Sequence, residues 1–279
     1  MILFKRSADL SDWLTRETIS GKSIGFVPTM GALHEGHISL ITISKKETDI
    51  SVCSIFVNPT QFNDPTDFQK YPITLEKDIA LLEEAGVDVL FLPGVAGLYP
   101  NGTTGLEHYD LGSLETVLEG KYRPGHFQGV CQVMNRLLSI VRPDHLFMGQ
   151  KDYQQCMVIA RLLTLMNLPA QLHRCPIIRE PDGLAMSSRN QRLNPAQRAN
   201  ATAIYRALQL LGQQFRVAPT TALVTAGAIL KQADFHIDYI SVADAVTLEP
   251  VIDPANDTPS VALIAAFQGE IRLIDNMIL

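Results

Sequence analysis

The chain of 279 residues contains few cysteines, and their spacing carries no motif. Cys53, Cys131, Cys156 and Cys175 include no C-x-x-C pair. An even number of cysteines can indicate disulfides, but this argument is weak for a chain long enough to bury a large core. We therefore expect four reduced thiols, as is usual for proteins of the cytoplasm.

The sequence also lacks long hydrophobic runs and an excess of basic residues. No window of 18 uncharged apolar residues occurs, so we expect no transmembrane helix. Residues 1–6 lack the apolar core of a signal peptide. The net charge is −6, whereas nucleic-acid-binding proteins usually carry a basic patch. These absences favour a cytoplasmic protein without membrane or nucleic-acid partners.

Strand and helix signals alternate through the first two thirds of the chain, which favours an α/β fold. Strands are predicted at 23–28, 49–57, 87–92, 145–148 and 171–174, and helices at 35–48, 74–85, 127–141 and 152–166. This order implies a parallel sheet with right-handed crossovers.

The composition shifts near residues 176–182, where a second pattern begins. Helices are predicted at 195–215 and 220–233, and strands at 237–242, 261–267 and 271–274. The last two strands form a hairpin across Gln268-Gly269-Glu270. We therefore predict an α/β domain with a parallel sheet at 1–176 and a smaller α+β domain at 177–279, each of ordinary domain size.

The most informative motif is the run PTMGALHEGH, which joins the first of these strands to a helix. It places His34 and His37 at the carboxyl edge of the sheet, where ligands bind in open parallel sheets. Backbone N–H groups at the helix start favour anions there. The run predicts a nucleoside-triphosphate site at which the α-phosphorus is attacked. A structural role or a metal site are the alternatives, although HEGH lacks the H-E-x-x-H spacing.

Amide side chains follow the next strand, in the run FVNPTQF. Asn58 and Gln61 suit an Asn-Pro turn, and they would then be ordinary loop residues. A glutamine at the carboxyl end of a strand is also well placed to bind a hydroxyl or a carboxylate.

A third run, GQKDYQQ, lies at another junction between a strand and a helix. Lys151 can meet phosphate as a point charge, and Asp152 can cap the helix that follows. Gln155 lies one turn into that helix and can face the same cleft.

Two further runs mix charged and polar groups. Ser187, Ser188 and Arg189 suit phosphate binding, and a linker with an N-cap serine is the alternative. Arg123 and His126 precede a helix, where structural and ligand roles are equally open.

The strings PTMGALHEGH, IFVNPTQF, RPGHFQGV, GQKDYQQ and DGLAMSSRN, in this order and spacing, resemble the pantoate–β-alanine ligase family along essentially the whole chain. The first and last match the HIGH-type and KMSKS-type motifs of the nucleotidylyltransferase superfamily. The resemblance implies ATP-dependent condensation of (R)-pantoate with β-alanine to pantothenate, AMP and pyrophosphate, with Mg²⁺, in pantothenate and coenzyme A biosynthesis. It also implies that the N-terminal domain, 1–176, is Rossmann-like, that 177–279 form a smaller C-terminal lid domain, and that the protein is a cytoplasmic homodimer.

The resemblance further implies a set of ATP-binding residues, in which His37 holds the family's general-acid position and Ile178 contacts the adenine through its backbone. The ATP-binding set is Met30, Gly31, Ala32, Leu33, His34, Glu35, Gly36, His37, Gly149, Gln150, Lys151, Asp152, Ile178, Met186, Ser187, Ser188 and Arg189.

For the other substrates, the resemblance implies that Gln61 contacts pantoate and β-alanine and that Gln155 contacts pantoate. Asn58, Arg123 and His126 fall in the substrate cleft of the family, and Asp78 is the candidate Mg²⁺ ligand. Three positions depart from the family pattern: Lys77, Gln150 and Arg192. Lys77 stands where many members carry another acid, which leaves a second acidic Mg²⁺ ligand in doubt.

The chemistry explains why such donors are needed. A carboxylate forms an amide only after activation, and adenylation supplies AMP as the leaving group. Phosphorus transfer mainly requires that the protein position reactants and neutralise charge. The predicted catalytic donors are His34, His37, Lys151, Ser187, Ser188 and Arg189. No covalent intermediate on the protein is needed.

Two other functions remain open at this point. One is a nucleotidyltransferase of the same superfamily that releases a stable nucleotide product. The other is a regulatory domain that binds ATP without catalysis, although such a domain needs fewer hydrogen-bond donors.

Overall fold

Short apolar runs form the central strands of a parallel sheet. The computed structural model describes residues 1–62, 65–251 and 259–279. Its first six strands are β1 (Ile2–Phe4), β2 (Ile24–Thr29), β3 (Ile50–Ile55), β4 (Val89–Phe91), β5 (His145–Gly149) and β6 (Gln171–Cys175). All their pairings are parallel. Every residue of β3 and β4 is buried, as is usual for parallel strands that are covered on both faces.

Helices cover both faces of this sheet. They are α1 (Ser7–Ile19), α2 (Glu35–Glu47), α3 (Pro65–Gln69), α4 (Leu75–Glu84), α5 (Val95–Leu98), α6 (Leu118–Tyr122), α7 (His126–Val141) and α8 (Tyr153–Leu165). Phe26 of β2 packs in one core with residues of α1, α7 and α8. The next residue, Val27, packs in another core with residues of α2 and α4. The alternation of side chains along a strand thus divides the core into two layers.

The strand order of the sheet is β1-β4-β3-β2-β5-β6. From β2 the chain proceeds outward through β3 and β4, and it then returns to place β5 on the other side of β2. Ligands in open α/β sheets bind outside the carboxyl ends of the strands at such a reversal. The reversal therefore lies where Thr29 ends β2 and Gly149 ends β5.

In the described residues of the C-terminal part, three α-helices accompany a second sheet. They are α9 (Pro195–Ala201), α10 (Ala203–Gln214), α11 (Pro219–Gln232), β7 (Phe235–Asp244), β8 (Ser260–Gln268) and β9 (Ile271–Ile278). The strands are antiparallel in the order β7-β8-β9, and this part has a hydrophobic core of its own. The prediction of an α/β domain followed by a smaller α+β part is therefore confirmed.

One predicted helix is wrong in its extent. The helix expected at 195–215 is divided at Thr202 into α9 and α10. The Thr202 hydroxyl donates to the Ala199 carbonyl (3.1 Å), and such local side-chain bonds compete with regular helix bonding.

The described chain divides into two units, Met1–Gly149 with Gln154–Pro176, and Gln150–Tyr153 with Ile177–Leu279. The four residues Gln150–Tyr153 thus belong to the C-terminal unit, although they lie in the sequence of the first. A domain boundary at 176/177 stays a prediction. None of the helices in the described ranges has the length and hydropathy that crossing a membrane requires.

We predict that the thiols of the native protein are inert. All four cysteines are buried and free, and burial raises the pKa of Cys53 and Cys131 to about 12 and that of Cys175 to about 11. Since the thiolate is the reactive form, a chromogenic disulfide reagent should label no cysteine at pH 8. The same titration in guanidinium chloride should yield four thiols. A fast-reacting thiol in the native protein would contradict the burial described here.

Candidate functional site

The segment that follows β2 has a conformation that few sequences can adopt. Gly31 and Ala32 have φ angles of +80° and +48°, in the left-handed region that non-glycine residues seldom occupy. A Cβ atom on Gly31 would lie 3.0 Å from Oδ2 of Asp78 and 3.1 Å from Cγ2 of Ile55. Glycine is therefore required at position 31 by both its φ angle and its close contacts.

Asp78 holds this segment in place. Its side chain is buried, and its two carboxylate oxygens accept the N–H groups of Ala32 (2.9 Å) and Leu33 (2.8 Å). Oδ1 also accepts the hydroxyl of Thr74 at 3.0 Å. The carboxylate thus provides acceptors for two buried backbone N–H groups that would otherwise lack a hydrogen-bond partner.

These bonds argue against Asp78 as the Mg²⁺ ligand that the resemblance implies. Mg²⁺ demands near-octahedral oxygen coordination and usually keeps several waters. A carboxylate that is 1% exposed, with both oxygens engaged by backbone N–H groups, does not fit that role. Lys77 beside it is exposed, and it offers no acidic group that could take its place.

His34 and His37 cap the start of α2 reciprocally. Nδ1 of His34 accepts the N–H of Gly36 (3.1 Å), and Nδ1 of His37 accepts the N–H of His34 (3.3 Å). The two ring centroids lie 4.1 Å apart. Because Nδ1 is an acceptor in both rings, a neutral imidazole must carry its proton on Nε2. The cap therefore fixes the tautomer of both histidines.

The cap places hydrogen-bond donors at one edge of the sheet. It lies at the carboxyl end of β2, where the strand order reverses. The first turn of α2 contributes the positive end of the helix dipole, whereas the N–H groups of His34, Gly36 and His37 are already engaged within the cap and its first turn. With the two Nε2–H groups, this arrangement suits the oxygens of a polyphosphate.

Asn58 is buried and fully engaged in internal bonds. Its Nδ2 group donates to Oε1 of Gln61 (3.1 Å) and to the carbonyl of Gly129 (3.1 Å). Its Oδ1 atom accepts the hydroxyl of Tyr99 at 2.8 Å and that of Thr60 at 3.2 Å. Asn58 therefore supports the turn after β3.

Gln61 is oriented by these contacts. Its Oε1 atom accepts from Asn58, and its Nε2 group donates to Sδ of Met30 at 3.1 Å. Gln61 thus contacts the segment that leads to His34, so two separate sequence motifs meet at this edge. A Cβ atom on Gly129 would collide with the Thr60 carbonyl, so only glycine lets α7 approach this turn.

Arg123 and His126 also meet the backbone of this turn. Nη1 of Arg123 donates to Nε2 of His126 (3.0 Å), and Nδ1–H of His126 then donates to the carbonyl of Gln61 (2.8 Å). His126 is buried, and Arg123 lies 3.8 Å from the carboxylate of Glu119. The pair therefore fixes the backbone at Gln61 from the side of α7.

The two neighbouring glutamines of α8 differ in environment. Gln154 is buried, accepts the N–H of Glu119 (3.0 Å), and donates to the carbonyls of Leu114 and Val117. Gln155 is half-buried, and within the described ranges its side chain makes no hydrogen bond. Of the two, Gln155 is the one whose amide remains available to a ligand.

Within the C-terminal unit, Asn276 of β9 holds the segment that contains Lys151. Its Nδ2 group donates to the carbonyls of Gln150 and Lys151, both at 2.9 Å. Its Oδ1 atom accepts from Nε2 of Gln150 at 3.1 Å. Nζ of Lys151 lies 3.4 Å from the carboxylate of Asp152.

Ile178 and Met186 belong to a tight hairpin in the same unit. The N–H of Met186 donates to the Ile178 carbonyl (3.0 Å), and Gly183 turns the chain with a φ angle of +92°. Arg179 forms two bonds to the buried carboxylate of Asp275, at 2.6 and 3.0 Å. The hairpin is thereby attached to β9.

The serines that follow this hairpin have different environments. Ser187 is the N-cap of a short 3₁₀ helix, Ser188–Arg192, and its Oγ atom accepts the N–H of Arg189 at 3.3 Å. This is the capping role that the sequence left open as an alternative. Ser188 is buried, whereas Ser187 and Arg189 are half-buried. Ser187 and Arg189 are thus the more accessible donors.

Comparison with known proteins identifies the family. The family model described as pantoate-beta-alanine ligase matches residues 2–278. This chain belongs to that family. Pantothenate synthetase of Cytophaga hutchinsonii is 46% identical over 95% of both chains, and that of Corynebacterium glutamicum (strain R) is 48% identical over 92% of this chain and 93% of its own. Membership makes the chain a ligase of pantothenate biosynthesis.

Solved structures agree with this assignment. Pantothenate synthetase of Thermus thermophilus superimposes with a TM-score of 0.91, at 40% identity over 99% of both chains. A Francisella tularensis pantoate-beta-alanine ligase, solved in complex with beta-gamma ATP and beta-alanine, has a TM-score of 0.83 at 37% identity. That match covers 100% of this chain and 97% of the other.

Sequence reasoning about this pantoate–β-alanine ligase missed Asn276 and Asp275. Both lie in a strand whose pattern indicates only a hairpin, and both are buried polar residues. Two adjacent polar residues, Asp275 and Asn276, between the apolar residues Ile274 and Met277 are the signal that could have drawn attention to them. Asn276 also explains why glutamine stands at position 150. The Oδ1 atom of Asn276 accepts a hydrogen bond from Nε2 of Gln150, and a glutamate there would have no such donor.

We predict that Asp78→Asn lowers stability and weakens ATP binding together. The amide places an NH₂ group opposite a backbone N–H, and leaving one buried donor unsatisfied costs about 1–3 kcal/mol. Urea unfolding and ATP titration without Mg²⁺ measure the two effects. Glu76→Gln, at an exposed position of the same helix, is the matched control. Unchanged stability combined with a lost response to Mg²⁺ would restore the metal-ligand interpretation.

Proposed function

We propose that this chain joins (R)-pantoate to β-alanine with consumption of ATP, through an enzyme-bound pantoyl adenylate. Family membership supports the amide-forming reaction. The Francisella relative solved with beta-gamma ATP and beta-alanine supports these two molecules as substrates. The observation that carries the proposal is the reciprocal histidine cap at the reversal of the strand order.

The first step transfers the adenylyl group. A carboxylate oxygen of pantoate attacks the α-phosphorus of ATP, the bond to the β-phosphate oxygen breaks, and pyrophosphate leaves. The Nε2–H groups of His34 and His37 donate to phosphate oxygens as negative charge shifts toward the leaving group. Lys151, Ser187, Ser188 and Arg189 supply the remaining donors, with Ser187 and Arg189 preferred to the buried Ser188. His37 lies at the family's general-acid position, and with Nδ1 accepting a backbone N–H it acts there as a hydrogen-bond donor through Nε2.

The second step forms the amide. The neutral amine of β-alanine attacks the acyl carbon of the adenylate, the bond from that carbon to the bridging oxygen breaks, AMP leaves with the oxygen that pantoate supplied, and the amine proton passes to solvent. Gln61 orients the substrates by hydrogen bonds that do not depend on pH, and Gln155 binds pantoate with an amide that has no other partner among the described residues. Asn58, Arg123 and His126 position Gln61 through the contacts given above.

Other parts of the assignment stay predictions. The homodimer, the cytoplasmic location and the requirement for Mg²⁺ follow from the family resemblance, and Asp78 is not offered as the metal ligand. The division into a catalytic domain at 1–176 and a lid at 177–279 is likewise a proposal.

Isotope exchange between ATP and pyrophosphate tests the proposed intermediate. Exchange should require pantoate and should proceed without β-alanine. Pantoate labelled with ¹⁸O in its carboxylate should transfer one labelled atom to AMP during full turnover. A domain that only binds ATP gives no exchange, and a nucleotidyltransferase gives exchange without pantoate. An acyl-phosphate route releases ADP and transfers the label to inorganic phosphate. Release of ADP, or AMP without label, would therefore reject the proposed mechanism.

We predict that His37→Asn separates the two functions of this residue. The asparagine Oδ1 atom occupies the place of Nδ1 and keeps the cap, but the Nε2–H donor is lost. The rate of adenylation should fall about 10²–10³-fold, whereas the free energy of unfolding should be nearly unchanged. His37→Ala should lose the cap as well, which should lower the free energy of unfolding by about 0.5–2 kcal/mol. Near-normal exchange by His37→Asn would exclude a role of the Nε2–H group in adenylation.

A further inference from the structure

A second cluster of histidines lies at the opposite edge of the parallel sheet. His145 is the first residue of β5, and His173 lies in β6 opposite Phe147. Because positions 145 and 147 share a face of the strand, both histidines are on the side of Phe147, which packs with residues of α2. The last residue of α2 is Glu47. None of these three residues takes part in the proposed reaction.

Three potential metal-ligand atoms converge in this cluster. Nδ1 of His145 lies 2.8 Å from Nε2 of His173, and Nδ1 of His173 lies 3.1 Å from Oε2 of Glu47. One ligand atom from each residue can be chosen so that all three lie within 4.8 Å of one another. His145 and His173 are half-buried, and the Glu47 side chain is 42% exposed. An ion can therefore reach the cluster from solvent.

A chain of hydrogen bonds is the simplest account of the cluster without an ion. His173 then donates from Nδ1 to Glu47, and His145 donates from Nδ1 to Nε2 of His173. This arrangement leaves Nε2 of His145 with a lone pair that no described residue satisfies. In this arrangement each imidazole keeps one nitrogen lone pair and the Glu47 carboxylate adds oxygen lone pairs, so the three residues carry atoms that can bind an ion.

We propose that Glu47, His145 and His173 bind a divalent transition-metal ion, and that Zn²⁺ suits the set. Zn²⁺ is bound by histidine nitrogen and carboxylate oxygen, and two histidines with one glutamate are a known three-ligand combination. Imidazole ligands select against Mg²⁺ and Ca²⁺, which prefer oxygen. Water completes the coordination of an ion held by three protein ligands.

The position of the cluster indicates a structural role for this ion. His34 precedes the first residue of α2 and Glu47 is its last residue, so the helix separates the two sites by about 18 Å at 1.5 Å per residue. An ion at Glu47 joins the end of α2 to β5 and β6. Binding to the folded form alone then stabilises the protein as the ion concentration rises.

Titration of the metal-free full-length protein with Zn²⁺ tests the proposal. Calorimetry should give one site per chain, and Co²⁺ should give a visible d–d spectrum when it occupies the same site. Zn²⁺ should also raise the melting temperature. His145→Gln, His173→Gln and Glu47→Gln should each weaken Zn²⁺ binding by more than the roughly 10–100-fold that losing a supporting partner costs.

Matched controls distinguish this site from adventitious binding by surface histidines. His108→Gln and His236→Gln each remove one exposed imidazole elsewhere, and both should bind Zn²⁺ as the parent chain does. Melting curves in EDTA establish that each variant is folded. Because Glu47 is exposed, Glu47→Gln is the ligand variant that is expected to disturb the fold least. Binding that survives in Glu47→Gln, or that is lost equally in His108→Gln, would overturn the three-ligand site. The absence of a stoichiometric Zn²⁺ site in the parent chain would overturn it as well.

Discussion

The candidate site depends on two hydrogen bonds from the backbone of Ala32 and Leu33 to the buried carboxylate of Asp78. Without them, the left-handed residues after β2 would leave N–H groups unsatisfied in the core. The conformation of this segment determines where α2 begins, and the start of α2 determines where the rings of His34 and His37 lie. A residue of α4 therefore controls the geometry of histidines that precede it in the sequence by more than forty positions.

The parallel sheet could be predicted from the sequence because its strands are buried and its helices are amphipathic. The predicted bounds of β2 differ from the structure by one residue at each end, and those of β5 by one residue at the carboxyl end. The helix α1 gives a weaker signal, because only Leu10 and Leu14 in it are buried and no side chain caps its first turn. β1 consists of three apolar residues and is largely exposed, so it is too short to show the alternation that indicates a strand.

The contact between the first two motifs was predictable, because the segment before His34 and the segment before Gln61 each follow a strand, and a parallel sheet gathers the carboxyl ends of its strands at one edge. That the other predicted residues belong to the same site stays a prediction. Their supporting contacts were not predictable, since Asn58 pairs with Gly129 and Lys151 with Asn276 across long separations. Pattern analysis assigns a residue to an element, but the partner of a buried amide depends on tertiary packing.

The contact between Asn276 and the Gln150–Lys151 backbone also has a consequence for the order of assembly during translation. The two partners are 126 and 125 residues apart in sequence. Strands β2 to β5 leave the ribosome long before β9 has been synthesised, so the nascent chain can form most of its parallel sheet while the carbonyls of Gln150 and Lys151 still face water. The segment that carries Lys151 acquires its final conformation only when the last strand arrives.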